Sequence, residues 1–246
     1  MKRFAAAALA LGLSAAQAEP TEWRVPFITT PPEVVERMLH IAGTRADDLV
    51  IDLGSGDGRI VIAAAKSYGA RGIGIELDGV LVERSIRNAE LAKVSDKVRF
   101  VQGDVLVADI SRATVVTAYL LPALMVQLQP RFIDELAPGT RIVSHAFTMA
   151  GWAPDRTETV QLERRHFGQG NESRLHLWIV PADVRGVWRA PGAEFRIEQN
   201  FQKIDVTGAS SATISGRDIA WSGFRGRVEG NRIVGELEGR PVVLER

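Results

Sequence analysis

Ten consecutive residues constrain this chain more than any others: Val50-Ile51-Asp52-Leu53-Gly54-Ser55-Gly56-Asp57-Gly58-Arg59, followed at once by the apolar run 60–65. An apolar run, alternating glycines and a second apolar run read as a strand, a tight loop and the first turn of a helix. Glycines at 54, 56 and 58 leave no Cβ between the backbone and a bound molecule, and the helix start offers unpaired N–H groups. Such a turn belongs to open α/β sheets, which bind ligands beyond the carboxyl ends of their strands.

The flanking segments agree. Thr30-Pro31-Pro32-Glu33 reads as a helix start, with threonine at the cap, proline at the first helical position and glutamate completing a capping box. Val34, Val35, Met38, Leu39 and Ala42 supply the helix's apolar face, and Gly43 ends it. Strand-like stretches at 49–53, 72–77, 98–101, 113–119 and 140–147 alternate with helical ones at 59–67, from Asp78 to about Lys93, and from Pro122 onward. Leu81, Val82, Ile86, Ala89 and Leu91 are the candidates for the buried face of the second of these helices, and Pro130 is expected to break or bend the third. The alternation predicts βαβ units and a parallel sheet covered on both faces. After Phe147 two strands, 157–162 and 174–180, are expected to form an antiparallel pair closing the sheet edge. Beyond Pro181 short runs at 195–197, 201–206, 219–224, 232–237 and 242–244 lie between Gly, Asn and Asp turns, which predicts a small antiparallel β module.

Residues 1–18 read as a secretory signal: Lys2 and Arg3 at the start, an apolar middle from Phe4 to Ser14, and Ala16-Gln17-Ala18 as a small-residue cleavage site. Cleavage after Ala18 would place the mature chain in the periplasm of a bacterium. A disordered alanine-rich start and an uncleaved anchor are the alternatives. The apolar stretch is shorter than the ~20 residues a spanning helix needs, so no membrane span is expected in the mature chain. The sequence contains no cysteine, which excludes disulfides, zinc–thiolate sites and catalytic thiols. Its 30 basic and 30 acidic residues give no support for a nucleic-acid partner. His40, His166 and His176 lack metal-ligand spacing, so no metal is expected.

The loop itself selects the ligand. A dinucleotide turn needs G-x-G-x-x-G, and Arg59 stands where its third glycine belongs; a Walker loop would end in Gly-Lys-Ser/Thr, which is absent. Asp52 and Asp57 would repel a pyrophosphate but suit an ammonium and a sulfonium. Glu76, ending the second strand, can accept hydrogen bonds from both ribose hydroxyls. Asp104 in Gln102-Gly103-Asp104 is placed to accept from an adenine amino group, with Val105 packing on the ring. Alone, Asp52 could cap the loop, Glu76 could be a solvated strand end and Asp104 could start a turn. The ordered set points to S-adenosyl-L-methionine.

Over residues 25–181 the chain resembles the class I S-adenosylmethionine-dependent methyltransferases, and more closely the small mitochondrial and bacterial lysine methyltransferases that include the enzyme acting on the ATP synthase c subunit. The resemblance rests on 50–65 (VIDLGSGDGRIVIAAA), 72–78 (GIGIELD), 98–105 (VRFVQGDV), 115–122 (VVTAYLLP), 138–154 (PGTRIVSHAFTMAGWAP) and the lead 25–31 (VPFITTP). It implies a Rossmann-like, mostly parallel sheet. It also implies Asp52, Gly54, Gly56, Glu76 and Asp104 and, less directly, Thr30 as cofactor contacts; Ser55 of the loop and Val105 are further candidates. The expected organisation is a signal over 1–18, a methyltransferase domain over 19–182 and a β-rich module over 183–246.

Methyl transfer is an in-line displacement, so the protein must chiefly align the acceptor and exclude water. A lysine acceptor must also lose its proton, which an apolar funnel favours. Tyr119, ending the fourth strand, is the candidate for lining that funnel. His145, ending the fifth, is a candidate general base or a hydrogen-bonded structural residue. The absence of an Asn/Asp-Pro-Pro-Tyr motif argues against a nucleic-acid base as acceptor, and the resemblance implies a protein lysine or amine. A competing expectation is an exported, non-catalytic binding protein that keeps the pocket and holds a partner through its β module; in a third, the signal is uncleaved and the protein faces the cytosol.

Overall fold

The computed structural model describes residues 28–166 and 170–246. The signal expected over 1–18 lies outside them. In chain order the first elements are α1 (Pro32–Ile41), β1 (Leu49–Leu53), α2 (Arg59–Tyr68), β2 (Arg71–Glu76), α3 (Gly79–Ala92), β3 (Val98–Gln102), β4 (Val115–Ala118), α4 (Pro122–Glu135), β5 (Arg141–His145), β6 (Arg156–His166) and β7 (Gly170–Ile179). Their strands form one seven-stranded sheet in the order β3-β2-β1-β4-β5-β7-β6. Strands β1 to β5 run parallel, and β7 is antiparallel to both β5 and β6. This is the Rossmann-like class I methyltransferase sheet, with the antiparallel pair at its edge. The strand order reverses between β1 and β4, so the ligand crevice opens beyond the carboxyl ends of those two strands.

Alternation along each strand sorts side chains between two cores. Ile51, Leu53, Val116, Ala118 and Ile142 face a cluster closed by Met125, Leu128 and Phe132 of α4. Val50, Val115 and Val143 face the other, closed by Val34, Val35, Met38 and Leu39 of α1 and Val61 and Ala64 of α2. Asp52 and Thr117 fall on that second face by the same alternation, which fixes where the polar site begins.

Three local expectations are corrected. Helix α4 runs through Pro130 without a break. Pro130 is exposed, so the carbonyl it orphans meets water, while Leu128 and Phe132 on either side are fully buried and hold the helix to the sheet. On α3, Leu91 is 83% exposed and Ile86 44%; the buried positions are Val82, Ser85 and Ala89. The helix sits one position round from the apolar count because Ser85 turns inward to bond the glycine loop. And α1 carries no capping box: its N-cap position is Pro31, without a side-chain cap.

The remaining strands are β8 (Gly186–Ala190), β9 (Ala193–Asn200), β10 (Lys203–Val206), β11 (Thr213–Ser215), β12 (Asp218–Trp221), β13 (Phe224–Glu229), β14 (Arg232–Leu237) and β15 (Arg240–Glu245). They make an eight-stranded antiparallel sheet, order β10-β9-β8-β15-β14-β13-β12-β11, whose two edge strands approach each other in a barrel-like arrangement. Trp188, Trp221, Phe224 and Ile233 fill its interior. The run 219–224 is a hairpin rather than one strand, because Gly223 (φ +81°) turns the chain between β12 and β13. Strands β8, β11 and, beyond Phe224, β13 escape a sequence reading.

Candidate active site

The loop after β1 is pinned from three sides. Gly54 N and Ser55 N both donate to Ile75 O of β2, at 2.9 and 3.0 Å. From α3, Ser85 Oγ donates to Gly56 O and Asn88 Nδ2 to Asp57 O, each at 2.9 Å. Gly56 N donates to Glu76 Oε2 at 2.8 Å, and Asp78 N to Glu76 Oε1 at 3.0 Å. Gly54, Gly56 and Gly58 have φ of +74°, +55° and +80°. A Cβ at Gly58 would stand 2.6 Å from the Phe100 ring, and one at Gly54 2.8 Å from Leu120 Cδ2. All three glycines are therefore favoured by conformation, and Gly58 also by its packing against the Phe100 ring. Ser55 is buried, with its hydroxyl against Gly74 beneath the loop.

Asp52 lies under this loop, 2% exposed, with Oδ1 accepting from Thr117 Oγ1 at 2.7 Å. Burial pushes its carboxyl up, the Thr117 bond pulls back, and the charges of Glu76 and Asp57 push further, leaving it at about 7. Asp57 is compensated: Arg59 Nε and Nη2 grip its two oxygens at 2.8 and 2.6 Å. Burial works to raise Asp57 as well, but the guanidinium outweighs it and holds the carboxyl below the ordinary range. Asp52 is left as a buried acid whose electrostatics call for a cation. The ammonium of S-adenosylmethionine meets that demand, and the Cβ-free loop gives it room, so these residues fit the cofactor.

Asp104 is exposed just beyond β3, its Oδ1 accepting from Leu106 N at 2.8 Å; Val105 enters the core. Gly103 N donates to Glu76 O at 2.9 Å, which sets the two acidic strand ends side by side. Arg131 of α4, bridged to Glu135, donates to Val105 O (2.8 Å) and Ala108 O (2.6 Å) and fixes this segment from below.

The ends of β4, β5 and β6 bring together an aromatic wall. The Tyr119 and His145 rings lie 4.1 Å apart between centroids, His166 lies 6.0 Å from Tyr119 and 5.6 Å from His145, and Phe147 stacks on Tyr119 at 6.2 Å. His145 is fully buried, with Nδ1 on Thr30 Oγ1 (3.2 Å) and Nε2 on Ser173 Oγ (3.1 Å). His166 Nε2 donates to Thr29 O at 2.8 Å, and Arg59 Nη1 donates to Thr30 O at 2.8 Å. Thr30, read from sequence as a helix cap and a possible cofactor contact, is thus tied to both the wall and the loop. A cleft of about 330 Å³ opens beside His166, between Pro31 and Glu33 on one side and Glu163 on the other.

Sequence reasoning missed Thr117, the contacts of Arg59 to Asp57 and Thr30, Ser85, Ser173 and His166. Thr117 carried a signal, as the one polar residue of the fully buried strand β4. His166 carried none, since its segment reads as a polar connection until β6 is seen to extend through it. Among the described residues no group of three metal-ligating side chains forms a metal site, and no helix is long and apolar enough to cross a membrane.

A sheet of this order, carrying a glycine loop over a buried acid and a second acid at the end of β2, defines a class I S-adenosylmethionine-dependent methyltransferase. Comparison with known proteins narrows the class. The family described as "ANTKMT methyltransferase domain" matches residues 52–156. A protein-lysine N-methyltransferase of Saccharolobus islandicus (strain REY15A) is 43% identical over 158 residues, 63% of this chain and 94% of the relative. The lysine N-methyltransferase of the ATP synthase c subunit from Mus musculus is 35% identical over 189 residues, 76% of this chain and 71% of the relative. Among solved structures, an RNA methyltransferase from Salinibacter ruber in complex with S-adenosyl-L-homocysteine is 50% identical, covers 64% of this chain and 96% of its own, and superposes with a TM-score of 0.58. The chain belongs to the ANTKMT methyltransferase family, and its cofactor is S-adenosylmethionine.

Proposed function

We propose that this enzyme transfers the methyl group to a lysine side chain of a protein. The observation that carries the reading is the match along nearly the whole length of a protein-lysine methyltransferase. Three features support it. The rings of Tyr119, Phe147 and His166 form a half-buried wall, and partial burial beside it would favour the neutral amine over an ammonium of ordinary pKa ~10.4. The crevice rim carries exposed Leu77, Val107 and Leu121, and the formal charge is zero, which suits a protein rather than a polyanion. The chain also lacks the motif of base-amine methyltransferases.

Bound in the crevice, S-adenosylmethionine supplies an activated methyl group on a sulfonium. Asp52 would hold its ammonium, Glu76 its ribose hydroxyls, and Asp104 its adenine, while Val105, expected on the ring, packs into the core beneath. Gly54 and Gly56 give the cofactor backbone clearance. Tyr119 lines the path by which the amine arrives in line. His145 has both ring nitrogens on buried hydroxyls, a geometry that supports a role in setting the Tyr119 ring. The acceptor ammonium would lose its proton to solvent before the neutral amine attacks in line.

The test is transfer from methyl-labelled S-adenosylmethionine to envelope and cytosolic fractions, followed by separation of protein from RNA. Protease-sensitive label that maps by mass spectrometry to methylated lysine is the expected outcome. Label confined to RNA, as the name of the Salinibacter relative would suggest, overturns the reading. We also propose that the chain is exported and cleaved after Ala18, on the support of its basic, apolar and small-residue start. Mass spectrometry of the mature N-terminus should find Glu19 first; a chain beginning at residue 1 or 2 contradicts export.

A further inference from the structure

Arg59 attracts notice because it does two things at once. It is the first residue of α2, so the loop and the helix together fix its Cα. One edge of its guanidinium takes both oxygens of Asp57, and Nη1 takes Thr30 O, a residue 29 positions earlier in the chain. Thr30 is 4% exposed and both its polar groups face the site: the carbonyl meets Arg59, the hydroxyl meets His145. His145 in turn lies against Tyr119. The connection runs unbroken from the cofactor loop to the wall where the acceptor arrives.

We propose that Arg59 is a positioning residue that couples the cofactor loop to the acceptor wall, gripping Asp57 on one side and the Thr30 carbonyl on the other so that Thr30 orients His145 against Tyr119. Only a planar guanidinium can make these contacts together; a lysine ammonium could neutralise Asp57 or reach Thr30 but lacks the fork to do both. The residue that excludes a dinucleotide turn from the sequence therefore has a positive purpose here. Settling of the loop around a cofactor reaches the acceptor wall through Arg59, so that the funnel is aligned when there is a methyl group to give.

The proposal rests on methyl transfer at the Tyr119 wall, but its main test needs no acceptor and so reads separately from the lysine assignment. The full chain and its Arg59→Lys, Arg59→Gln and Thr30→Val variants are titrated with S-adenosylhomocysteine by calorimetry, and amide hydrogen exchange is followed across residues 28–35 with and without it. In the parent, ligand should slow exchange in that segment by roughly tenfold or more. In each variant the slowing should be lost by more than any change in affinity accounts for, and pairing Arg59→Lys with Thr30→Val should cost no more than either alone. Arg59→Lys keeps the charge beside Asp57 and so keeps the fold if Arg59→Gln does not. Where the extract assay gives transfer, each variant should lose about tenfold or more of its rate at saturating cofactor. Parent-like slowing in Arg59→Lys, additive effects in the pair, or a loss of affinity that accounts for the whole loss of rate would overturn the coupling.

Discussion

Asp52, proposed above to hold the cofactor's ammonium, has a chemistry that is testable through pH. Its folded carboxyl stands at about 7 against an ordinary 3.8. Between those values the folded protein holds a proton that the unfolded chain has lost, so the stability of the free protein falls as pH rises through that window. Cofactor binding has the opposite sign, because the ammonium is held by the ionised form. Affinity for S-adenosylhomocysteine should rise from about pH 6 to about pH 8, with a proton released on binding in the lower part of that range. Calorimetry in buffers of differing ionisation enthalpy reads both. Asp52→Asn should abolish the pH dependence and weaken binding by roughly ten- to a hundredfold, the ~1.5–3 kcal/mol of a charge-assisted hydrogen bond. Thr117→Val removes the bond that pulls the carboxyl down, so its binding midpoint should move to higher pH. A parent affinity that is flat across this range would contradict the raised carboxyl.

At the scale of elements, β2 makes two close approaches that only glycine permits, and they should separate stability from binding. A Cβ on Gly72 would lie 2.7 Å from Val61 of α2, deep in the core; one on Gly74 would lie 2.6 Å from both Phe100 and Ser55 Oγ, and Ser55 belongs to the loop. Both alanine variants should lower stability by about 1–3 kcal/mol, the usual cost of overpacking. Only Gly74→Ala should also weaken S-adenosylhomocysteine binding, because relief there displaces the loop. Thermal denaturation and calorimetry on the same pair decide it. These elements also show what the sequence could convey. The glycine turn and the acids at 52, 76 and 104 were legible because steric freedom and strand-end placement are local properties. Thr30 was misread for the opposite reason: its spacing satisfies a capping box, but a buried histidine 115 residues away takes the hydroxyl instead. Ser85, which turns α3 from its apolar count, and Pro130, harmless because it faces water, were likewise decided by tertiary partners. His166 became a site residue only once β6 and β7 were paired.

Across the whole molecule, the β module is docked at the far side from the chemistry. Strand β7 runs antiparallel to β5, so its end at Ile179, which pairs with Arg141, delivers the chain to the edge opposite the crevice. There Ala182 N donates to Gly216 O at 2.6 Å, and Gly216 packs against Gly139. A second contact fixes the angle: Trp152, 1% exposed, stacks on Phe201 at 5.1 Å and donates from Nε1 to Gln202 Oε1 at 2.8 Å. Trp152 belongs to the methyltransferase core, and Trp178 Nε1 donates to its carbonyl at 2.9 Å. The two sheets thus share an aromatic interface and should melt as one cooperative unit. Phe201→Ala removes the stacked ring without touching the crevice. It should lower stability by about 2–4 kcal/mol, the range for truncating a large core side chain at a partly buried site, and should split the calorimetric transition in two. Saturating S-adenosylhomocysteine binds only the methyltransferase sheet, so it should raise one of those transitions and leave the other where it was. A single transition in Phe201→Ala that ligand shifts as a whole would mean that the backbone joint at Ala182 and Gly216 suffices to couple the sheets.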